Sequence, residues 1–156
     1  MERKQFLRSL GAGAAFALIF PCTQSCSKSD GGDDVPEGDR KEIPSGVDFT
    51  IDLTANEAAP LANNGGFILV KSNVSPSLTD IVVAKNLEGN FVAASQICSH
   101  QQTDNVRFRS EDGGIFNCST HGARFDQNGN PLNSITNNPL KIFNTALSGD
   151  ILRIFE

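Results

Sequence analysis

Four side chains able to ligate a metal fall in two short pairs. Cys98-Ser99-His100 is the first and Cys118-Ser119-Thr120-His121 the second, with seventeen residues between His100 and Cys118. The chain has two histidines and four cysteines, so both histidines and half the cysteines lie in these pairs. A Cys and a His one or two residues apart let one loop tip present a sulfur and a ring nitrogen together. Two such tips can grip opposite sides of one metal centre. A Cys2His2 zinc site uses the same ligand types. Zinc knuckles, however, pair like with like, two cysteines in one turn and two histidines in the next, whereas each pair here is mixed.

The surrounding chain must position these tips. From Ile97 to Pro139 it is rich in Asp, Asn, Gly, Ser and Gln, with only brief apolar pieces such as Ile115-Phe116. So long a loop-rich stretch inside a domain is uncommon unless a metal centre organises it. On either side the signals are those of strands. Val47, Phe49, Ile51 and Leu53 alternate with polar residues, the period of a half-buried strand. Phe67-Ile68-Leu69-Val70 and Ile81-Val82-Val83-Ala84 are short apolar runs. Asn86 to Asn90 reads as a hairpin turn into Phe91-Val92-Ala93-Ala94, and Ser148-Gly149-Asp150 as a turn between Leu140–Leu147 and Ile151–Phe155. No helical period is sustained after the first twenty residues. The expected fold is all-β, built of short strands over roughly residues 46–156.

The two pairs, read as Cys-x-His followed after a short insert by Cys-x-x-His, resemble the signature of the Rieske iron–sulfur family. Gly122, Phe125 and Asp126 follow the second histidine as in many Rieske ferredoxins, and Pro139-Leu140-Lys141 leads into the final hairpin. The resemblance covers the whole expected domain. It implies an antiparallel β-sandwich or barrel base, with residues 97–139 as a loop-rich cluster-binding subdomain. It also implies one 2Fe–2S cluster per chain, with Cys98 and Cys118 on the buried iron and His100 and His121 on the outer one. Replacing two thiolates by neutral imidazoles makes such a cluster less negative and raises its potential above that of an all-cysteine cluster.

Departures from the respiratory branch of the family bear on function. Rieske subunits of quinol–cytochrome c oxidoreductases carry an extra cysteine in each loop, joined as a disulfide. The matching positions here offer Thr103 or a neighbour, and Thr120. That branch also has a Ser and a Tyr donating to cluster sulfurs, where this chain has Ala123 and Phe125. Fewer donors imply a lower potential. The expected function is therefore a one-electron carrier of ferredoxin type, with redox proteins as partners. One alternative is the Rieske subunit of a membrane quinol-oxidising complex, with quinol as partner. Another is the electron-transfer component feeding a separate oxygenase. An oxygenase itself needs a second iron site, commonly two histidines and a carboxylate, and both histidines here are assigned to the cluster.

The first twenty-five residues read as an export signal. Arg3, Lys4 and Arg8 precede an apolar stretch from Leu10 to Phe20, too short to span a bilayer comfortably. An uncleaved signal anchor is the alternative. Cys22 and Cys26 follow, then a polar, acidic, Gly-rich stretch, an arrangement that resembles a bacterial lipoprotein with Cys26 as the lipidated residue and 26–45 as a flexible tether. Arg3-Lys4-Gln5-Phe6-Leu7-Arg8 resembles a twin-arginine motif with Lys4 in place of the second arginine, and an ordinary secretory signal reads equally well. The expected location is the cell envelope, with the domain facing the periplasm or exterior. The net charge is −5, with no basic stripe, which argues against a nucleic-acid partner.

Overall fold

Period-two alternation builds the larger of two sheets. Its strands are β1 (Asp48–Asp52), β2 (Phe67–Val70), β3 (Ile81–Lys85), β4 (Phe91–Ser95), β8 (Ile142–Ser148) and β9 (Ile151–Phe155). They lie in the order β1-β9-β8-β4-β3-β2, antiparallel throughout. The computed structural model describes residues 36–76 and 78–156. The expected signal, Cys22, Cys26 and the first part of the tether lie outside the described residues. Among the described residues no helix is long and apolar enough to cross a membrane.

Strand β3 shows why the apolar run Ile81-Val82-Val83-Ala84 alternates nowhere with polar residues: both its faces are covered. Ile81 and Val83 join a core with Val47, Leu61, Ala93, Phe143, Leu152 and Ile154. Val82 and Ala84 point the other way, into a core that includes Ala94, Phe108, Phe116 and Phe125 together with Cys98 and Cys118. A strand buried on both faces needs apolar side chains at every position. Strand β8 turns the corner of the sheet. Its Ile142 and Phe143 pair with β4, and Asn144 to Ser148 pair with β9.

The second sheet has three strands, β5 (Val106–Arg109), β6 (Ile115–Cys118) and β7 (Arg124–Phe125). The sequence signalled loops here, because the strands are only two to four residues long and separated by polar turns. Their buried members, Val106, Phe108, Phe116 and Phe125, fasten this sheet onto the larger one. A seven-residue 3₁₀ helix, Asn56–Ala62, was likewise unsignalled. It buries only Ala58 and Leu61, too few apolar positions to set a helical period.

Candidate metal centre

Each ligand pair lies on a connection between strands. Residues 96–105 join β4 to β5 and carry Cys98 and His100, while Cys118 ends β6 and His121 sits in the connection to β7. The two connections are the same backbone turn. In the first, Cys98 N–H donates to the Thr103 carbonyl at 2.8 Å and Gln102 N–H to the Cys98 carbonyl at 2.9 Å. In the second, Cys118 N–H donates to the Ala123 carbonyl at 2.8 Å and Gly122 N–H to the Cys118 carbonyl at 2.9 Å. The residue four places after each cysteine is left-handed: Gln102 at φ 56° and Gly122 at φ 75°. Glycine adopts that conformation at no steric cost, whereas Gln102 holds it inside a hydrogen-bonded turn. On this shared frame the histidine stands two residues after Cys98 but three after Cys118.

Both cysteines are buried, at 1 % exposure each, and neither is in a disulfide. Their thiols hydrogen-bond to each other, which pushes the Cys98 thiol up from its ordinary pKa and the Cys118 thiol down; burial raises both. Backbone N–H groups of His100 and Gln101 donate to the Cys98 sulfur, and that of Thr120 to the Cys118 sulfur. Donors converging on a sulfur favour its charged form, which is the form that binds metal. The imidazoles of His100 and His121 meet edge to face, with ring centroids 5.1 Å apart and planes at 87°. Both are half-buried.

The structure thus sets the Cys98 thiol beside that of Cys118 and the His100 ring beside that of His121. One further observation bears on whether they fit a metal cluster. His100 Nδ1 is buried with no hydrogen-bond partner among the described residues. A buried ring nitrogen left unpaired costs free energy that a metal bond would recover. Among the described residues, no three Cys, His, Asp or Glu side chains gather as ligands of one ion. The donor set divides into a sulfur pair and a nitrogen pair, as two irons require. The residues present fit a 2Fe–2S cluster better than a zinc ion.

A third stretch, residues 131–139, is tied to both connections. Ser99 Oγ donates to the Asn138 carbonyl at 2.8 Å, and Asn133 Nδ2 donates to the Gly122 carbonyl at 2.8 Å. Its hydrophobic residues Leu132 and Ile135 are exposed. Before β1, Lys41 N–H donates to the Gln102 carbonyl at 2.9 Å and Pro44 is buried, so this part of the chain packs beside the first connection. Thr103 and Thr120, singled out from sequence only as places without cysteine, lie against each other, and Thr103 lies against the Cys118 sulfur.

No curated protein matches this chain. Among solved structures, the ferredoxin of carbazole 1,9a-dioxygenase from Nocardioides aromaticivorans IC177 is similar at 21 % identity, covering 60 % of this chain and 86 % of that one, with a TM-score of 0.48. The plasma membrane Rieske protein of the cyanobacterium Synechocystis PCC 6803 is similar at 26 % identity, over 49 % of this chain and 76 % of that one, with a TM-score of 0.43. The model of the Rieske [2Fe-2S] domain family matches residues 35–144. That span holds both turns and every strand up to the start of β8. With a match over most of its length and a donor set that fits the cluster, the chain belongs to the Rieske [2Fe-2S] domain family.

Proposed function

We propose that this chain is a one-electron carrier whose 2Fe–2S cluster is held by Cys98, His100, Cys118 and His121, and that Cys26 carries a lipid anchor tethering it to a membrane of the cell envelope. The observation that carries the reading is the meeting of two buried thiols and two half-buried imidazoles on matched turns, with His100 Nδ1 left unpaired. When bound, a cluster of this ligation takes up and returns one electron. The chain's own residues do the rest. Phe108, Phe116 and Phe125 pack with the cysteines in the apolar core and keep water from the sulfurs. The backbone N–H groups of His100, Gln101 and Thr120 steady negative charge on those sulfurs. The imidazoles, less buried than the thiols, form the edge through which a partner exchanges the electron.

The reading predicts a purified chain that is brown, with about two irons and two sulfides per chain, and a reduced EPR signal with the low average g of mixed Cys/His ligation. Ala123 and Phe125 offer the sulfurs no side-chain donor, so the midpoint is expected in the lower part of the family range of ≈ −150 to +300 mV, below about 0 mV. A colourless chain carrying one zinc would refute the cluster. A midpoint above about +100 mV would favour the quinol-oxidising subunit over the free carrier.

A further inference from the structure

We infer that Asn105, Thr120 and Thr103 form a hydrogen-bonded brace that ties the two cluster-holding turns together and delivers a hydroxyl proton to the sulfur of Cys118, making Thr103 and Thr120 residues that set the reduction potential. The inference rests on the cluster being held at this site.

Thr103 Oγ1 and Thr120 Oγ1 are 2.8 Å apart, Asn105 Nδ2 is 3.0 Å from Thr120 Oγ1, and Thr103 Oγ1 is 3.6 Å from Cys118 Sγ. Counting protons gives the brace a direction. The amide nitrogen of Asn105 can only donate, so the Thr120 oxygen accepts from it. Thr120 then has one proton to give. If it goes to Thr103, the Thr103 hydroxyl proton is left for Cys118 Sγ. In that arrangement a hydroxyl proton ends on Cys118 Sγ, which as a metal-bound thiolate can only accept.

The two sulfurs are therefore unlike. Among the described residues a hydroxyl, that of Thr103, stands against Cys118 Sγ, and the backbone N–H groups of His100 and Gln101 face Cys98. A donor aimed at a ligand sulfur stabilises the more negative, reduced cluster and raises its potential. The brace also crosses between turns that share few other ties. The backbone provides one bond beyond the strand pairing, from Ser119 N–H to the Asn105 carbonyl at 3.2 Å. Thr103 is half-buried and Thr120 exposed, so the link runs from the sulfur outward to the solvent edge.

Valine keeps the shape of threonine and removes the hydroxyl, and serine keeps the hydroxyl, so the test uses both in the full-length, cluster-loaded chain. Thr103→Val should lower the midpoint potential with iron and sulfide content unchanged, and Thr103→Ser should restore most of it. In resonance Raman spectra the iron–cysteine stretching bands should lose part of their shift in D2O in Thr103→Val and keep it in Thr103→Ser. The Thr103→Val/Thr120→Val pair should fall less than the sum of its single variants, since both break one chain of bonds. A loaded Thr103→Val chain with unchanged potential, or a Thr103→Ser chain as low as Thr103→Val, overturns the inference. If Thr103→Val does not hold its cluster, Thr120→Val decides the matter: a lower potential supports the brace and an unchanged one refutes it. An unsubstituted chain without iron would instead refute the cluster itself.

Discussion

The hydroxyl contact between Thr103 and Thr120 predicts that Thr103→Cys/Thr120→Cys closes as a disulfide. Side-chain oxygens 2.8 Å apart require β-carbons that already face each other across the two turns, which is the first demand of disulfide geometry. The unfolded chain would lose the entropy of a loop of about seventeen residues, close to 3 kcal/mol in the chain-entropy account. Against this stand the hydroxyl hydrogen bonds removed, at roughly 0.5–1.5 kcal/mol each and least for the exposed Thr120. The net gain should be about 1–2 kcal/mol, or a rise in Tm of roughly 5 °C for a domain of this size. The assay is thermal unfolding of the loaded double variant with and without reductant, beside a count of free thiols in the denatured protein. Two thiols that stay free under oxidising conditions would show that the turns do not hold these positions together. Closure with a lower Tm would mean that the covalent link strains the shared turn frame, or that the polar brace contributes more than two ordinary hydrogen bonds.

Phe125 is fully buried in the core that contains both cysteines, so Phe125→Tyr should raise the midpoint by about 40 mV, the equivalent of roughly 1 kcal/mol of added preference for the reduced form; a stability loss with no rise in potential would show a hydroxyl buried without reaching sulfur. Burial disfavours the charged form of Asp126, but its hydrogen bonds from Asn130, Asn128 and Gly129 outweigh this and hold its carboxyl below the usual carboxylate range. A depressed folded-state value adds stability above the unfolded value, and that stability is lost as pH falls through the folded value. Asp126→Asn should therefore be the less stable chain at neutral pH in denaturant titrations, with the gap closing as pH falls below the unfolded carboxylate value of about 3.9. On the proposed anchor, Cys26→Ser should release the protein from membranes, because a lipid chain on that residue would contribute ~0.8 kcal/mol per buried CH₂; release by Cys22→Ser instead would assign the anchor to the other cysteine.

What could be read from the sequence follows from how each feature encodes itself. Strands β1 to β4, β8 and β9 announce themselves because a face buried at every second position, or at every position in β3, leaves an apolar pattern. The four candidate ligands stood out because few other roles ask for Cys and His in mixed pairs. The small sheet was not, since strands of two to four residues give no period to count, and Phe108, Phe116 and Phe125 stand singly among polar neighbours. The likeness of the two turns was also hidden. Cys-x-His and Cys-x-x-His look different as strings, yet both frames close from the cysteine N–H to the carbonyl five residues on. A signal for the left-handed position existed in Gly122 but not in Gln102. Thr103 and Thr120 could be compared with cysteines by position, but their contact needs the turns folded against each other.

The burial order of the ligands also constrains how such a carrier meets its partner. The thiols face the aromatic core at 1 % exposure, so no partner can approach the cluster from their side. The rings of His100 and His121 lie at the rim, and the exposed Leu132 and Ile135 belong to the stretch tied to the same turns. The segment before β1 passes this same end, because Lys41 N–H is bonded to the Gln102 carbonyl in the first cluster-holding turn, so a partner that reaches the rings across this rim meets that segment as well.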